Sequence, residues 1–112
     1  MDSYAITVQY TAEYRCDLIK NPSNRLAVIN PLVEELGGKV KGAWLSHGPW
    51  DVLLIIEFPS YTAASAITSV FQSGGVTSQV ALVPLMDIKQ WINDVVKVGP
   101  TYLNYLTETK PK

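Results

Sequence analysis

The only histidine of the chain stands in the stretch SHGPWDVLLIIEF, residues 46–58, three residues before Trp50 and four before Asp51. An imidazole titrates near neutrality, so His47 is the candidate catalytic residue for general acid or base chemistry. Its position argues for something plainer, because it sits in a turn between two apolar runs. A nucleophile such as Ser46 or Cys16 would also have to be turned toward it. A catalytic or haem-contacting His47 requires the hairpin to curl over a cleft. Asp51 has the character of a turn residue that accepts backbone hydrogen bonds. Arg15 and Arg25, the only arginines, carry the planar fork that matches a carboxylate. Tyr10, Arg25, Trp44, Trp50 and Asp51 are the candidate ligand-binding residues, with the aromatic ones equally suited to packing.

Composition excludes several classes. The net charge is -1 and the lysines are scattered, which gives no electrostatic footprint for nucleic acid. No apolar run approaches the roughly 20 residues of a membrane span, and the first residues lack a secretion signal, so a cytoplasmic protein is expected. One cysteine and one histidine fall short of a structural zinc site, and no metal or cofactor is assigned. Charged residues make up 17% of the chain, below the usual quarter or so, which suggests that extra surface is buried between subunits.

The elements that must position these residues follow from periodicity. YAITVQY, residues 4–10, alternates with period two and reads as a strand. Residues 11–20 read as irregular. NPSNRLAVINPLVEELGG then reads as a helix with Asn21 as N-cap, Pro22 at its first position, and Leu26, Ile29, Leu32, Val33 and Leu36 on one stripe. Pro31 implies a kink or break near Asn30. KVKGAWLS and DVLLIIEF read as a hairpin turning through His47, Gly48, Pro49 and Trp50. Ser60 caps a second helix with Ala63, Ala64, Ile67, Val70 and Phe71 on one face. VTSQVALVPLM is a fourth strand in which Pro84 implies a bulge or an edge. A third helix capped by Asp87 should end at Gly99-Pro100, with a frayed end over Glu108 to Lys112.

The fold class is therefore α+β: a ferredoxin-like β-α-β-β-α-β sandwich with a four-stranded antiparallel sheet and an extra C-terminal helix. Residues 1–98 form the domain, and residues 99–112 a tail that packs on the domain or on a partner subunit. In the third strand Val52, Leu54, Ile56 and Phe58 share one face, yet Leu53 and Ile55 on the other are apolar as well. Two helices cover one face only. Thr7, Gln9, Leu53, Ile55, Gln79 and Ala81 are assigned to the second face, which calls for a partner, and a homodimer or higher homo-oligomer is the simplest.

The chain resembles the GYD-domain proteins. The resemblance rests on Thr11 after the first strand, Pro22 and Arg25 near the first helix, and EELGGK from Glu34 to Lys39. It continues through Gly48 with Trp50-Asp51, where the family has its Tyr-Asp signature, the strand from Val52 to Ile56, and Glu57 followed by Pro59. It implies the dimeric α+β-barrel fold and no established activity. Three functions fit. The first is a dimer that binds a small apolar or anionic molecule between sheet and helices, bordered by Tyr10, Arg25, Trp44 and Trp50. The second is a cofactor-independent monooxygenase, cyclase or isomerase acting on a small aromatic or polyketide-like substrate, and the third a purely structural oligomerisation module.

Overall fold

A computed structural model describes residues 1–109. Its elements are β1 (Asp2–Tyr10), α1 (Ala12–Lys20), α2 (Leu26–Glu35), β2 (Lys39–Leu45), β3 (Val52–Phe58), α3 (Tyr61–Ser73), β4 (Thr77–Pro84) and α4 (Ile88–Thr109). All strand pairs are antiparallel, in the order β2-β3-β1-β4. This is the ferredoxin-like sheet expected from the sequence.

The central pair decides which residues are inside. Ile6 lies opposite Leu54, Tyr4 opposite Ile56 and Val8 opposite Val52. These residues and Phe58 are buried on one face, because side chains two apart on a strand share a face. Helix α2 adds Val33 to this core and α3 adds Ala64 and Ile67. The hydroxyl of Thr68, the one polar residue buried with them, donates to the Ala64 carbonyl at 2.8 Å. Val28 and Leu32 on α2 and Val70 on α3 stay exposed, because they border the gap between the two helices.

Four local expectations are corrected. Residues 12–20 form helix α1 rather than an irregular segment. Thr11 caps it, its Oγ1 accepting from the Tyr14 N–H at 3.1 Å, with Glu13 in the first turn and Lys20 in the last favouring the helix dipole. Asn21 is consequently not an N-cap, since its N–H donates to the Asp17 carbonyl and closes α1. Helix α2 starts at Leu26, whose N–H donates to Asn24 Oδ1. It also runs unbroken through Pro31. Proline costs one hydrogen bond, and both Pro31 and Ala27, whose carbonyl loses it, lie on the exposed side where water substitutes.

The fourth correction is at the C-terminus, where α4 continues through Gly99-Pro100 to Thr109. The Val96 carbonyl that Pro100 frees is on an exposed residue, and Gly99 has no Cβ to clash with the proline ring. The fraying expected at Glu108 to Lys112 falls in part on residues 110–112, outside the described residues. Other expectations hold: Ser60 Oγ accepts from the Ala63 N–H at 3.1 Å, Asp87 begins α4, and Pro84 sits at the end of an edge strand. Among the described residues no helix is long and apolar enough to cross a membrane.

The link from α2 to β2 needs glycine twice. Gly37 takes φ +75°, and the N–H groups of Gly37 and Gly38 donate to Glu34 and Val33 carbonyls, closing the helix through a left-handed residue. A Cβ on Gly38 would lie 2.7 Å from both the Glu57 carbonyl oxygen and the Phe58 ring. The carbonyl cannot retreat without breaking the sheet. Gly38→Ala is expected to lower unfolding free energy by about 1–3 kcal/mol, read by urea denaturation; unchanged stability would show that the α2–β2 link is not tightly packed.

Candidate functional site

One carboxylate oxygen ties three elements together. Asp51 Oδ2 accepts from the Tyr10 backbone N–H at 2.8 Å and from Arg15 Nη2 at 3.0 Å. The Asp51 N–H donates to the Val8 carbonyl and its own carbonyl accepts from the Ser46 N–H, both at 2.9 Å. The end of β1, the start of α1 and the hairpin before β3 therefore meet at one residue. Asp51 was expected to accept from the turn backbone; its side chain reaches β1 instead, and the turn is held by the Gly48 N–H on Ser46 Oγ. The Arg15 guanidinium, followed by the Tyr10 N–H, holds the Asp51 carboxyl below its ordinary pKa against the opposing effect of burial.

Tyr10 is aimed by this arrangement. The pairing of β1 with β4 shifts register between Gln9 and Tyr10, and a bulge of this kind re-aims a side chain at a sheet margin. The Tyr10 ring packs against Tyr14 of α1, centroids 5.0 Å apart, and the Arg25 guanidinium lies 5.5 Å from the Tyr14 ring centre. Burial raises the Tyr10 pKa, the nearby Tyr14 adds to this, and Arg25 opposes it. Near neutrality the phenol is a hydrogen-bond donor.

Beside this group opens a cleft of about 410 Å³. Its apolar walls come from Leu18, Leu26, Ile29, Ala43, Val52 and Leu54, and Tyr10 and Arg25 supply its titratable groups. A second hollow of about 200 Å³ between α2 and α3 shares Tyr10, Arg25, Ile29, Val52 and Leu54 with it. Together they make a concave apolar space with a phenol and a guanidinium at one place, the composition of a small-molecule site.

The structure brings together only part of the residues singled out by sequence. Tyr10 and Arg25 line the cleft. Trp44 borders it from the edge strand β2, but its register partner is Leu53 and its ring crowds the space above Gly42, which pairs with Ile55. That register turns the indole toward the opposite face of the sheet. Trp50 lines a depression of about 480 Å³ on this second face, with Thr7, Gln9, Leu53, Gln79 and Ala81. The face assignment made from the strand patterns is thus the observed one. His47 is exposed in the hairpin turn and is not among the residues lining the cleft. Tyr14 was expected in a loop, at a place where the family resemblance implies a glycine, although Thr11 followed by Ala-Glu-Tyr carries the capping signal that puts it on a helix. Among the described residues no three histidines, cysteines or carboxylates gather as a metal would need.

The family model described as the GYD domain matches residues 4–93, from β1 into the second turn of α4. The chain belongs to the GYD-domain family. No curated relative matches it. In this GYD domain the adjacent Trp50 and Asp51 do different things: Trp50 faces the open side of the sheet, and Asp51 locks β1 to α1.

The depressed Asp51 pKa makes this lock pH-dependent. Its contribution is complete above the ordinary carboxylate value near 3.9 and disappears as pH falls through the lower folded value. Asp51 and Arg15 are partly exposed, so Asp51→Asn is expected to cost about 1 kcal/mol at neutral pH. The gap between wild type and variant should close in urea titrations at pH 2; an equal gap at both pH values would mean that the charge of Asp51 is irrelevant.

Proposed function

We propose that this GYD-domain protein binds a small, largely apolar molecule carrying an acidic group, in the cleft between the sheet and its helices. The observation that carries the reading is that Tyr10 and Arg25 both line one apolar space of about 410 Å³, near enough for the guanidinium to oppose the rise of the Tyr10 pKa. A ligand filling that space would bury apolar surface against Ile29, Val52 and Leu54 and place its anionic end by Arg25. The phenol, held protonated by burial, is a donor to such a ligand and a poor base near neutrality. This supports binding over proton abstraction, and an enzymatic cycle would need its base from elsewhere than His47 as it stands in the turn.

The same reading includes a second copy of the chain. The open face carries Leu53, Ile55 and Ala81 between Trp50 on the hairpin and Trp44 on the edge strand. Two such faces packed back to back would cover each other's apolar centre and leave Thr7, Gln9 and Gln79 to share water or hydrogen bonds, as polar groups do in many interfaces. The exposed, unpaired Cys16 thiol suits a reducing compartment such as the cytoplasm.

Two measurements test these points. The fluorescent probe 8-anilino-1-naphthalenesulfonate, apolar with one anionic group, is expected to bind saturably. Arg25→Gln should weaken it about tenfold, the worth of one charge-assisted hydrogen bond, and Ile29→Trp should abolish it by filling the cleft. Binding indifferent to both substitutions would sink the cleft reading. Separately, Leu53→Asp should dissociate the sheet-to-sheet dimer in sedimentation velocity, since it buries an unpaired charge; a variant of unchanged mass would show that the open face is covered some other way.

A further inference from the structure

Helix α4 runs for 22 residues and packs extensively on no other element. The molecule accordingly measures 68 × 31 × 21 Å, with a radius of gyration of 19.5 Å against about 13 Å for a compact chain of this length. The sequence of α4 is ill suited to standing alone in water. Ile88, Ile92, Val95, Val96 and Val98 are β-branched, Gly99 adds backbone entropy, and Pro100 removes a hydrogen bond. Such a helix draws its stability from packing one face.

The shape of that face indicates what packs on it. Ile88, Trp91, Val95, Val98 and Tyr102 follow at spacings of three, four, three and four residues. These five repeat with the seven-residue period by which two helices pack along one seam, and Ile92, Val96 and Leu103 widen the apolar face beside it. The seam is open: Ile88 is 73% exposed, Trp91 54%, Val98 66% and Tyr102 60%. Within the same copy, α2 and α3 already spend their apolar faces on the sheet, and α1 borders the cleft with Leu18.

We infer that α4 pairs along this seam with α4 of a second copy. The seam and the adjacent Ile92 expose on the order of 600 Å² per copy, so that a pair removes roughly 1,200 Å², the lower end of a specific interface. The seam residues Trp91, Val95 and Val98 also face a groove of about 590 Å³ whose other wall includes Tyr4, Tyr61 and Met86, so an incoming helix has apolar surface of the domain beside it. The surface is separate from the open sheet face, and half of its residues, Val95, Val98 and Tyr102, lie beyond residue 93, where the GYD match ends. It stands whether or not the sheets also pair.

The test is sedimentation velocity on the full chain and on a Val95→Glu, Val98→Glu double variant. The expected result is a variant of half the wild-type mass that keeps the domain's thermal transition. Mixing it in equal amounts with a Val95→Lys, Val98→Lys variant should restore the wild-type mass, which copies with merely unfolded helices could not do. A monomeric wild type, an unchanged mass in the glutamate variant, or a mixture that stays dissociated would each overturn the pairing. Leu53→Asp leaves this seam untouched and should still pair through α4, so a Leu53→Asp variant that sediments wholly as a monomer would also overturn the pairing.

Discussion

The constraint on which everything else depends is that the central strand β3 is apolar on both faces while the helices cover only one. Tyr4, Ile6 and Val8 on β1 and Val52, Leu54, Ile56 and Phe58 on β3 supply seven buried side chains on the covered face, each contributing about 1.5–3 kcal/mol when fully buried. The register of this pair must be fixed, because a slip of one residue would exchange the two faces of a strand. Once it is fixed, Leu53 and Ile55 have no choice but to face outward. The floor of the cleft and the apolar patch on the open face are two results of the same alternation.

The second requirement is to hold the open end of the sheet where helices meet strands. Helix α1 buries no side chain in the core, so apolar packing does not fix it. Its position comes from polar contacts: Thr11 N–H on the Val76 carbonyl, Thr11 Oγ1 on the first turn, and Arg15 on Asp51. Hydrogen bonds are directional where apolar burial is not, and that directionality is what sets Tyr14 against Tyr10 and beneath Arg25. A part-exposed aspartate at the root of a hairpin thereby shapes the cleft without lining it.

Much of this was legible in the sequence, for identifiable reasons. The strands of the sheet, its two-sided β3 and the Ser60 and Asp87 starts rest on local periodicity or short turn signals, while the GYD-domain membership came from the resemblance of a series of short motifs to that family. What was missed depended on competition between signals. Asn21-Pro22 reads as a helix start in isolation, but the Asn21 N–H is already spent on closing α1. Pro31 and Gly99-Pro100 read as breaks, yet the carbonyls they free face water, where one lost hydrogen bond is tolerable. Tyr10 and Arg25, an aromatic and a cationic residue near strand and helix ends, were singled out by type, and the structure places both on the wall of the cleft. Trp44 was harder, because β2 shifts register between Val40 and Gly42, and a bulge is invisible to a reading based on strict alternation.

Helix α2 shows how fold and site are coupled. Its C-terminal half is anchored by Val33, wholly buried, and by the Gly37 and Gly38 closure. Its N-terminal half, with Leu26 and Ile29 only partly buried against the core, borders the cleft. Arg25 therefore stands at the less constrained end of a helix whose other end is fixed. Local stability follows buried contact, so adjustment to an occupant falls to the end that carries the guanidinium. The floor beneath it does not share this freedom, because Leu54 is also a core residue opposite Ile6. On the proposed function, a rigid apolar floor with an adaptable charged lip would discriminate by the shape of a ligand's apolar part more sharply than by the position of its anionic group.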